Sequence, residues 1–413
     1  MTPAVRRDHT HFVDPNGLLW VVHAKRRLLF ATSVSDTLRA FLLPYAEHYR
    51  QRGWRVDAAA AGVSECEVCA DAFDAVHDLP WTRRPSERAN FFEAPRALRA
   101  LVRREAYDLV HAHDPIAGFV TRFALRRARA RGEVKVIVTA HGFHFFAGNS
   151  LHRNVVFGTL EWLASRWLDA QVVINREDEA AVHRWRFPGR ARTLYMPGIG
   201  VDTSFYDPAR VSSDEVAGVR QELGLAPGQA LLLIVGELNP GKRHRDAVAA
   251  LAASGRPQLV LACAGVGPLA AEIEEQARTL GVGERVRLLG FRRDVPALLR
   301  ASIGLVLPSE REGLPRCIME ASCLERPVIA TRIRGVTELV TPATGILTEV
   351  GDVDALAAAM ARLVDHPQEA AALGRAGPAA MRPFDLKHVL ALHDELYDRV
   401  LGDADLSATS SIE

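Results

Sequence analysis

Residues 309–321 read SEREGLPRCIMEA, and two of their carboxylates, Glu312 and Glu320, stand with seven residues between them. The apolar run 303–307 before them has the pattern of a buried strand that stops at Pro308. After them, Ile318, Met319, Ala321, Ser322 and Leu324 recur with helical spacing until Pro327. A short loop therefore presents Glu312 and Gly313 and opens a helix that carries Glu320. A helix N-terminus offers unbonded N–H groups and about half a positive charge, which suits a phosphate. Carboxylates on either side of it suit the hydroxyls of a ribose and a sugar. Together these are the parts of a nucleotide-sugar site.

Three further loops fall where strands end. Gly236-Glu-Leu-Asn-Pro-Gly-Lys242-Arg243-His244 follows the apolar run 230–235. Its cationic end suits a diphosphate, although an ordinary loop with a solvated basic end would read the same way. Only four of the 51 basic residues are lysine, and one of them is Lys242. Thr139-Ala-His141-Gly142-Phe143-His144 ends another run and places His141 where a ligand would lie. Gly265-Val-Gly267-Pro-Leu reads as a structural turn that feeds a helix, since GxG alone says little about phosphate.

The elements that must position these loops alternate. Strand-like runs at 28–32, 55–61, 109–113, 134–139 and 171–175 are separated by amphipathic stretches at 38–53, 95–105, 116–131 and 151–168. Residues 197–208 are rich in turn formers and read as a linker. The rhythm then restarts, with strands at 230–235, 259–264, 286–289, 303–307 and 327–331. This is the βαβ pattern of doubly wound parallel sheets, repeated in two halves. In such sheets ligands lie outside the carboxyl ends of the strands.

The order of these motifs resembles the retaining glycosyltransferases of the family 4 type. That family has an E-x7-E pair, a G-R-L-x-x-x-K loop, a TxHG element and a G-x-G-P-L turn. The variant GELN…K resembles members that build capsules and exopolysaccharides, as do YDLVHAHDPIAGF, VVINREDEAA and MRPFDLKHV; the likeness runs over 28–401. It implies an α/β protein of GT-B fold, with two facing Rossmann-like domains and a deep cleft between them. The expected divisions are an N-terminal extension at 1–26, an acceptor domain at 27–197 completed by a helix at 383–401, a nucleotide-sugar domain at 198–382 and a disordered tail at 402–413. The resemblance implies catalytic roles for His141, which would donate to the transferred sugar, for Lys242 on the diphosphate, and for Glu312 on the sugar hydroxyls. Gly236, Arg243, Phe291, Arg292, Gly313, Leu314 and Arg316 would complete the donor site, with Glu320 on the ribose. Two departures stand out. Glu237 occupies a position where many members have Arg, and Pro315, which lacks an N–H, replaces a glycine. The donor would be a UDP-sugar and the acceptor a polyprenyl-diphosphate-linked saccharide. The enzyme would work without a metal or other cofactor, in the cytoplasm at the inner face of the cell membrane. A UDP-sugar epimerase of the same fold, a transferase for another lipid or small-molecule acceptor, and a non-catalytic partner subunit are the alternatives.

Bulk properties narrow the rest. A net charge of +1 gives no reason to expect nucleic-acid binding. The apolar run 18–22 is too short for a membrane span or signal-peptide core. Five cysteines predict a reducing compartment and no disulfide framework. Cys66 and Cys69 have zinc-knuckle spacing but lack a second pair. Asp352 and Asp354 match a D-x-D metal motif, but they precede an Ala-rich helix that Asp352 would cap. Arg122, Arg126, Arg127, Arg129 and Arg131 form a basic stripe, either solvated or facing anionic lipid. The aromatics Phe145, Phe146, Phe157, Trp162 and Trp167 suggest lipid contact or core packing.

Overall fold

Two sets of aliphatic runs form the centres of two separate parallel sheets. The computed structural model describes residues 10–13, 19–22, 25–82, 87–146 and 149–402. It divides into one unit of residues up to 196 together with 390 onward, and a second unit of 197–389. The extension expected at 1–26 contains an antiparallel pair, β1 (Thr10–Val13) and β2 (Leu19–Val22), where no regular structure was expected. The remainder of that extension lies outside the described residues except for 25 and 26, and so does the expected tail beyond Gly402.

The first unit holds β3 (Arg27–Val34), β4 (Arg55–Ala61), β5 (Ala75–Asp78), β6 (Leu109–His113), β7 (Lys135–Ala140), β8 (Ala170–Val173) and β9 (Thr193–Tyr195). They pair in parallel in the order β5-β4-β3-β6-β7-β8-β9. Residues of β3 and β6 are buried on both faces, which is why these strands read as continuous apolar runs rather than alternating ones. One core packs Leu29, Val110 and Val138 against Leu98, Val120 and Leu125 of the helices Glu93–Glu105 and Pro115–Ala130. The C-terminal helix Leu386–Leu401 contributes to this unit from Leu390 on. Its Asp394 accepts from His48 and Arg52, and its Tyr397 stacks on Tyr49 at 4.9 Å between ring centres.

The second unit holds β10 (Ala230–Val235), β11 (Leu259–Ala264), β12 (Val286–Gly290), β13 (Gly304–Leu307), β14 (Val328–Thr331) and β15 (Gly345–Thr348), in the order β12-β11-β10-β13-β14-β15. In each sheet the first strand of its unit lies beside the fourth, so the winding reverses between β3 and β6 and between β10 and β13. Such a reversal opens a crevice at the strands' carboxyl ends. Strands β5, β9 and β15 and the helices Arg176–Arg184, Ser213–Glu222 and Pro367–Met381 are additions to the expected elements. The helix expected over 151–168 ends at Ala164, where the Ser165 hydroxyl donates to the Trp162 carbonyl and accepts from the Gly189 N–H.

Among the described residues no helix is long and apolar enough to cross a membrane. No framework of disulfides was expected, and one local bond is present: Cys66 and Cys69 are joined across the start of the helix Glu67–Ala72. One helical turn brings their Cα atoms to 5.2 Å, within bonding range. Cys263, Cys317 and Cys323 are free and buried.

Candidate functional site

In the second unit the crevice between β10 and β13 is filled by two loops that meet. Residue 233 on β10 pairs with 305 on β13, so the loops that follow them leave the sheet side by side. The Glu310 N–H donates to the Gly241 carbonyl at 2.9 Å and ties the loops together. Lys242 Nζ then lies 2.7 Å from Glu312 Oε1, and both side chains are largely buried. Burial alone would lower the Lys242 pKa, but the Glu312 carboxylate outweighs it, and the ammonium ends above its ordinary value. Asn239 caps the turn by accepting from the Lys242 N–H. Gly236 leaves room for the lysine stem: a Cβ there would lie 3.3 Å from Lys242 Cε. Gly265 and Gly267 support the same loop, because a Cβ at Gly265 would lie 1.9 Å from the Gly236 carbonyl oxygen and one at Gly267 2.4 Å from that of Leu238. The expected structural role of the GVGPL turn is thus seen in its packing.

Glu320 sits in the helix Arg316–Cys323 and is buried. Arg316 Nη2 lies 3.3 Å from Glu320 Oε1. Tyr206, from the turn-rich segment read as a linker, also reaches Glu320 and Arg316; burial first, then the nearby Glu320 charge, raises its phenol pKa. Nothing in the spacing around Tyr206 marks it as a site residue. Pro315 stands at the helix cap in extended conformation. Leu314 is buried beneath Gly198, and the Gly313 carbonyl packs on Gly335, where a Cβ would lie 1.7 Å from its oxygen. Cys317 beside them is kept neutral by burial, which pushes its thiol up to about 12.

The side chains of two residues expected at the donor site bond neighbouring carboxylates. Arg243, in the left-handed conformation at φ 51°, donates to Asp246 at 2.6 Å, and Glu310 lies 3.7 Å from its guanidinium. Arg292 clamps Asp294 at 2.8 and 2.6 Å and also holds Glu222 of the helix Ser213–Glu222. Four of its N–H donors are used in this way, so its side chain serves the loop's shape. Phe291 beside it is exposed. Asp352 caps the helix Val353–Asp365 through the Ala355 N–H at 2.9 Å.

In the first unit His141 joins a buried histidine cluster. His113 Nδ1 lies 3.0 Å from His141 Nε2, and His111 meets the Tyr397 hydroxyl at 2.5 Å and Thr139 Oγ1 at 2.7 Å. His113 Nε2 is buried without a partner. A buried lone pair is better tolerated unpaired than a buried N–H, so His113 carries its proton on Nδ1 and donates to His141. His141 then keeps its own proton on Nδ1 and is a donor. Phe41 stacks on His141 at 6.3 Å, from a widened helical turn at Leu38–Leu42 just before Pro44, which has no N–H to give. Asp114 begins the next helix at φ 69° and accepts from the Ser33, Ile116 and Ala117 N–H groups. His144 instead packs edge-on against Phe157.

Burial and the neighbouring His393 lower the His141 pKa to about 4, and burial holds His111 and His113 well below 6.5. Unfolding lets all three take up protons as pH falls below 6.5, so stability is full above that value and is lost below it. Each should cost about 1.4 kcal/mol per pH unit. Thermal midpoints of the full chain should therefore drop steeply between pH 6.5 and pH 5, and less steeply for His113→Phe; a midpoint flat across that range would show that the cluster is not held neutral.

Packing pairs three of the five arginines of the basic stripe with carboxylates. Arg122 is 1% exposed and bonds Glu161 at 2.8 Å, Arg129 meets Asp169 at 3.1 Å, and Arg131 pairs with Glu133. Phe145 is buried, and Phe157 and Trp162 pack against its cluster with Phe143 and Phe187.

Comparison with known proteins covers both units. The family described as Glycosyltransferase Family 4 matches residues 41–204, and that described as Glycosyl transferases group 1 matches 217–380. EpsD of Bacillus subtilis (strain 168), which carries a provisional glycosyltransferase name, is 32% identical over 85% of this chain and 91% of its own. An Escherichia coli UDP-Gal:alpha-D-GlcNAc-diphosphoundecaprenol alpha-1,3-galactosyltransferase is 30% identical over 65% of this chain and 69% of its own. Anabaena Alr3699/HepE, solved in complex with UDP-glucose, superposes with a TM-score of 0.76 at 22% identity, over 90% of this chain and 99% of its own, which speaks for the fold. With relatives this similar over most of their length, the protein belongs to the glycosyltransferases of the family 4 type, on the GT-B fold.

Proposed function

We propose that this enzyme moves a sugar from a UDP-linked donor to a lipid-linked saccharide, with retention at the anomeric carbon, in exopolysaccharide or capsule assembly at the inner face of the cell membrane. The observation that carries the proposal is the Lys242–Glu312 contact at the winding reversal, with Glu320 on the next helix. The relatives support its finer parts: one is named for a UDP-galactose donor and a diphosphoundecaprenol acceptor, and another was solved with UDP-glucose.

Breaking the C1–O bond leaves negative charge on the diphosphate. An ammonium has three N–H donors. One of those on Lys242 is held by Glu312, which leaves two for phosphate oxygens. A fixed cation in a dry site stabilises such charge far more than it would in water. The start of the helix Arg316–Cys323 adds backbone donors from the Gly313–Arg316 turn. Glu320 accepts from the ribose hydroxyls and Glu312 from a sugar hydroxyl, while His141 donates to the transferred sugar. Gly236 makes room for the lysine, and Phe291 borders the base. The acceptor proton passes to the departing phosphate.

The deciding experiment supplies UDP-sugars with and without a polyprenyl-diphosphate-linked saccharide. A glycosylated lipid should form only when the acceptor is present, with at most slow hydrolysis in its absence. An isomerised UDP-sugar formed without acceptor would indicate an epimerase instead. Because the chain's own cations are assigned the charge of the leaving group, turnover should persist in EDTA. Loss in EDTA and recovery with manganese would refute that assignment.

A further inference from the structure

The helix Leu151–Ala164 shows an apolar face that stays exposed among the described residues. Leu151, Val155, Val156, Leu160 and Leu163 are 38% to 79% exposed. They make up much of the large apolar surface exposed among the described residues. Trp162 and Phe157 are turned inward, so the exposed face is aliphatic. The one acidic residue of this helix, Glu161, is also turned in, to the buried Arg122. What borders the apolar face is cationic or neutral: His152, Arg153, and Arg166, whose guanidinium lies 4.0 Å from the Trp162 ring.

A second feature adjoins it. Trp167, one turn past Leu163, lies 6.1 Å from Phe123, and Arg126 sits over both rings. Arg126 also lines a groove of about 630 Å³ between the helices Glu93–Glu105 and Pro115–Ala130, together with Arg99, Arg103, Arg127 and Arg131. The one acid in that groove, Glu133, is bound to Arg131. Phe92, at the cap of the helix that carries Arg99 and Arg103, is 67% exposed. The crowded cations Arg127 and Arg99 help burial lower the Arg126 pKa, so the groove holds more positive charge than its own carboxylates offset.

We propose that this surface seats the first unit on an anionic lipid bilayer, with the aliphatic face of Leu151–Ala164 among the upper acyl chains and the arginine groove on lipid phosphates. Apolar side chains bordered by cations and no acid are the signature of a helix lying in the membrane interface. Charge argues against a second copy of this chain as the occupant: a twofold contact over this face would set Arg153 and Arg166 near their own counterparts with no acid between them. The inference depends on the membrane-borne acceptor proposed above for its purpose, but not for its test.

The full-length protein is sedimented with vesicles of equal parts phosphatidylcholine and phosphatidylglycerol, and with vesicles of phosphatidylcholine alone. The protein should bind the anionic vesicles and not the neutral ones. Arg103→Ala with Arg127→Ala should weaken vesicle binding about thirtyfold, from two lost cations near the surface. Val155→Ser with Leu160→Ser should weaken it about tenfold or more, from lost apolar burial. Circular dichroism and UDP affinity should match the unaltered protein in both variants. The proposal is overturned if the protein ignores anionic vesicles, if both variants bind them like the parent, or if sedimentation velocity shows a dimer that the Val155/Leu160 variant dissolves. Vesicle binding without UDP binding would uphold this surface while refuting the nucleotide-sugar reading, and UDP binding without vesicle binding would do the reverse.

Discussion

Lys242→Ala should lower turnover about a hundredfold, roughly 3 kcal/mol of lost transition-state stabilisation. The lysine is held in place by Glu312 at 2.7 Å before any ligand arrives, so little reorganisation is needed when charge develops on the leaving diphosphate. Contacts that strengthen only in the transition state act on kcat rather than on KM. The same geometry predicts a stability cost, because the alanine leaves a mostly buried Glu312 without its partner, at about 1–3 kcal/mol. Lys242→Ala combined with Glu312→Gln removes that orphaned charge and should recover stability without recovering rate. Lys242→Arg should regain part of the rate, since a planar fork does not reproduce a compact charge. Steady-state rates well below the melting midpoint, measured with a UDP-sugar and a lipid-linked acceptor, check this. Near-parental turnover for Lys242→Ala would remove the lysine from the mechanism.

Glu320→Gln should weaken UDP binding by about 1.5–3 kcal/mol, between tenfold and a hundredfold or somewhat more. Glutamine keeps the shape and one acceptor but loses the charge that strengthens a bond from a ribose hydroxyl. Arg316 and Tyr206 also rest on this carboxylate, so part of any effect could come through them. Calorimetry with UDP and with 2′-deoxyuridine diphosphate separates the two. A ribose contact predicts that the glutamine variant discriminates less between these ligands, whereas a purely supporting role would weaken both alike. Affinity for UDP equal to that of the parent would place Glu320 outside the site.

Much of the fold was legible because its information is local. A strand buried on both faces must be apolar throughout, and runs such as Ala230–Val235 announce it. A loop at a strand's end must break the pattern with Gly, Pro and Asn, so GELNPGK and EGLPR stood out before any geometry was known. The short outer strands β5, β9 and β15 were missed because three or four residues at a sheet edge carry too little periodicity to separate from a loop. Terminal segments gave the same difficulty: β1 and β2 are four residues each, too short to leave a pattern in the sequence.

By itself, then, the chain's sequence determined where strands end and which residues stand in the loops beyond them. Tertiary structure decided which of those loops meet. Lys242 and Glu312 are 70 positions apart and touch because β10 lies next to β13, a consequence of sheet order that no local spacing records. The same level of structure drew Tyr206 to Glu320 and stacked Phe41 on His141. It also turned Arg122 and Arg292 from expected surface or ligand contacts into clamps on Glu161, Glu222 and Asp294. An arginine reads as exposed from sequence because isolated charge is costly to bury. Once folding places a carboxylate within 3 Å, that cost is offset, and only the packed chain shows where this happens.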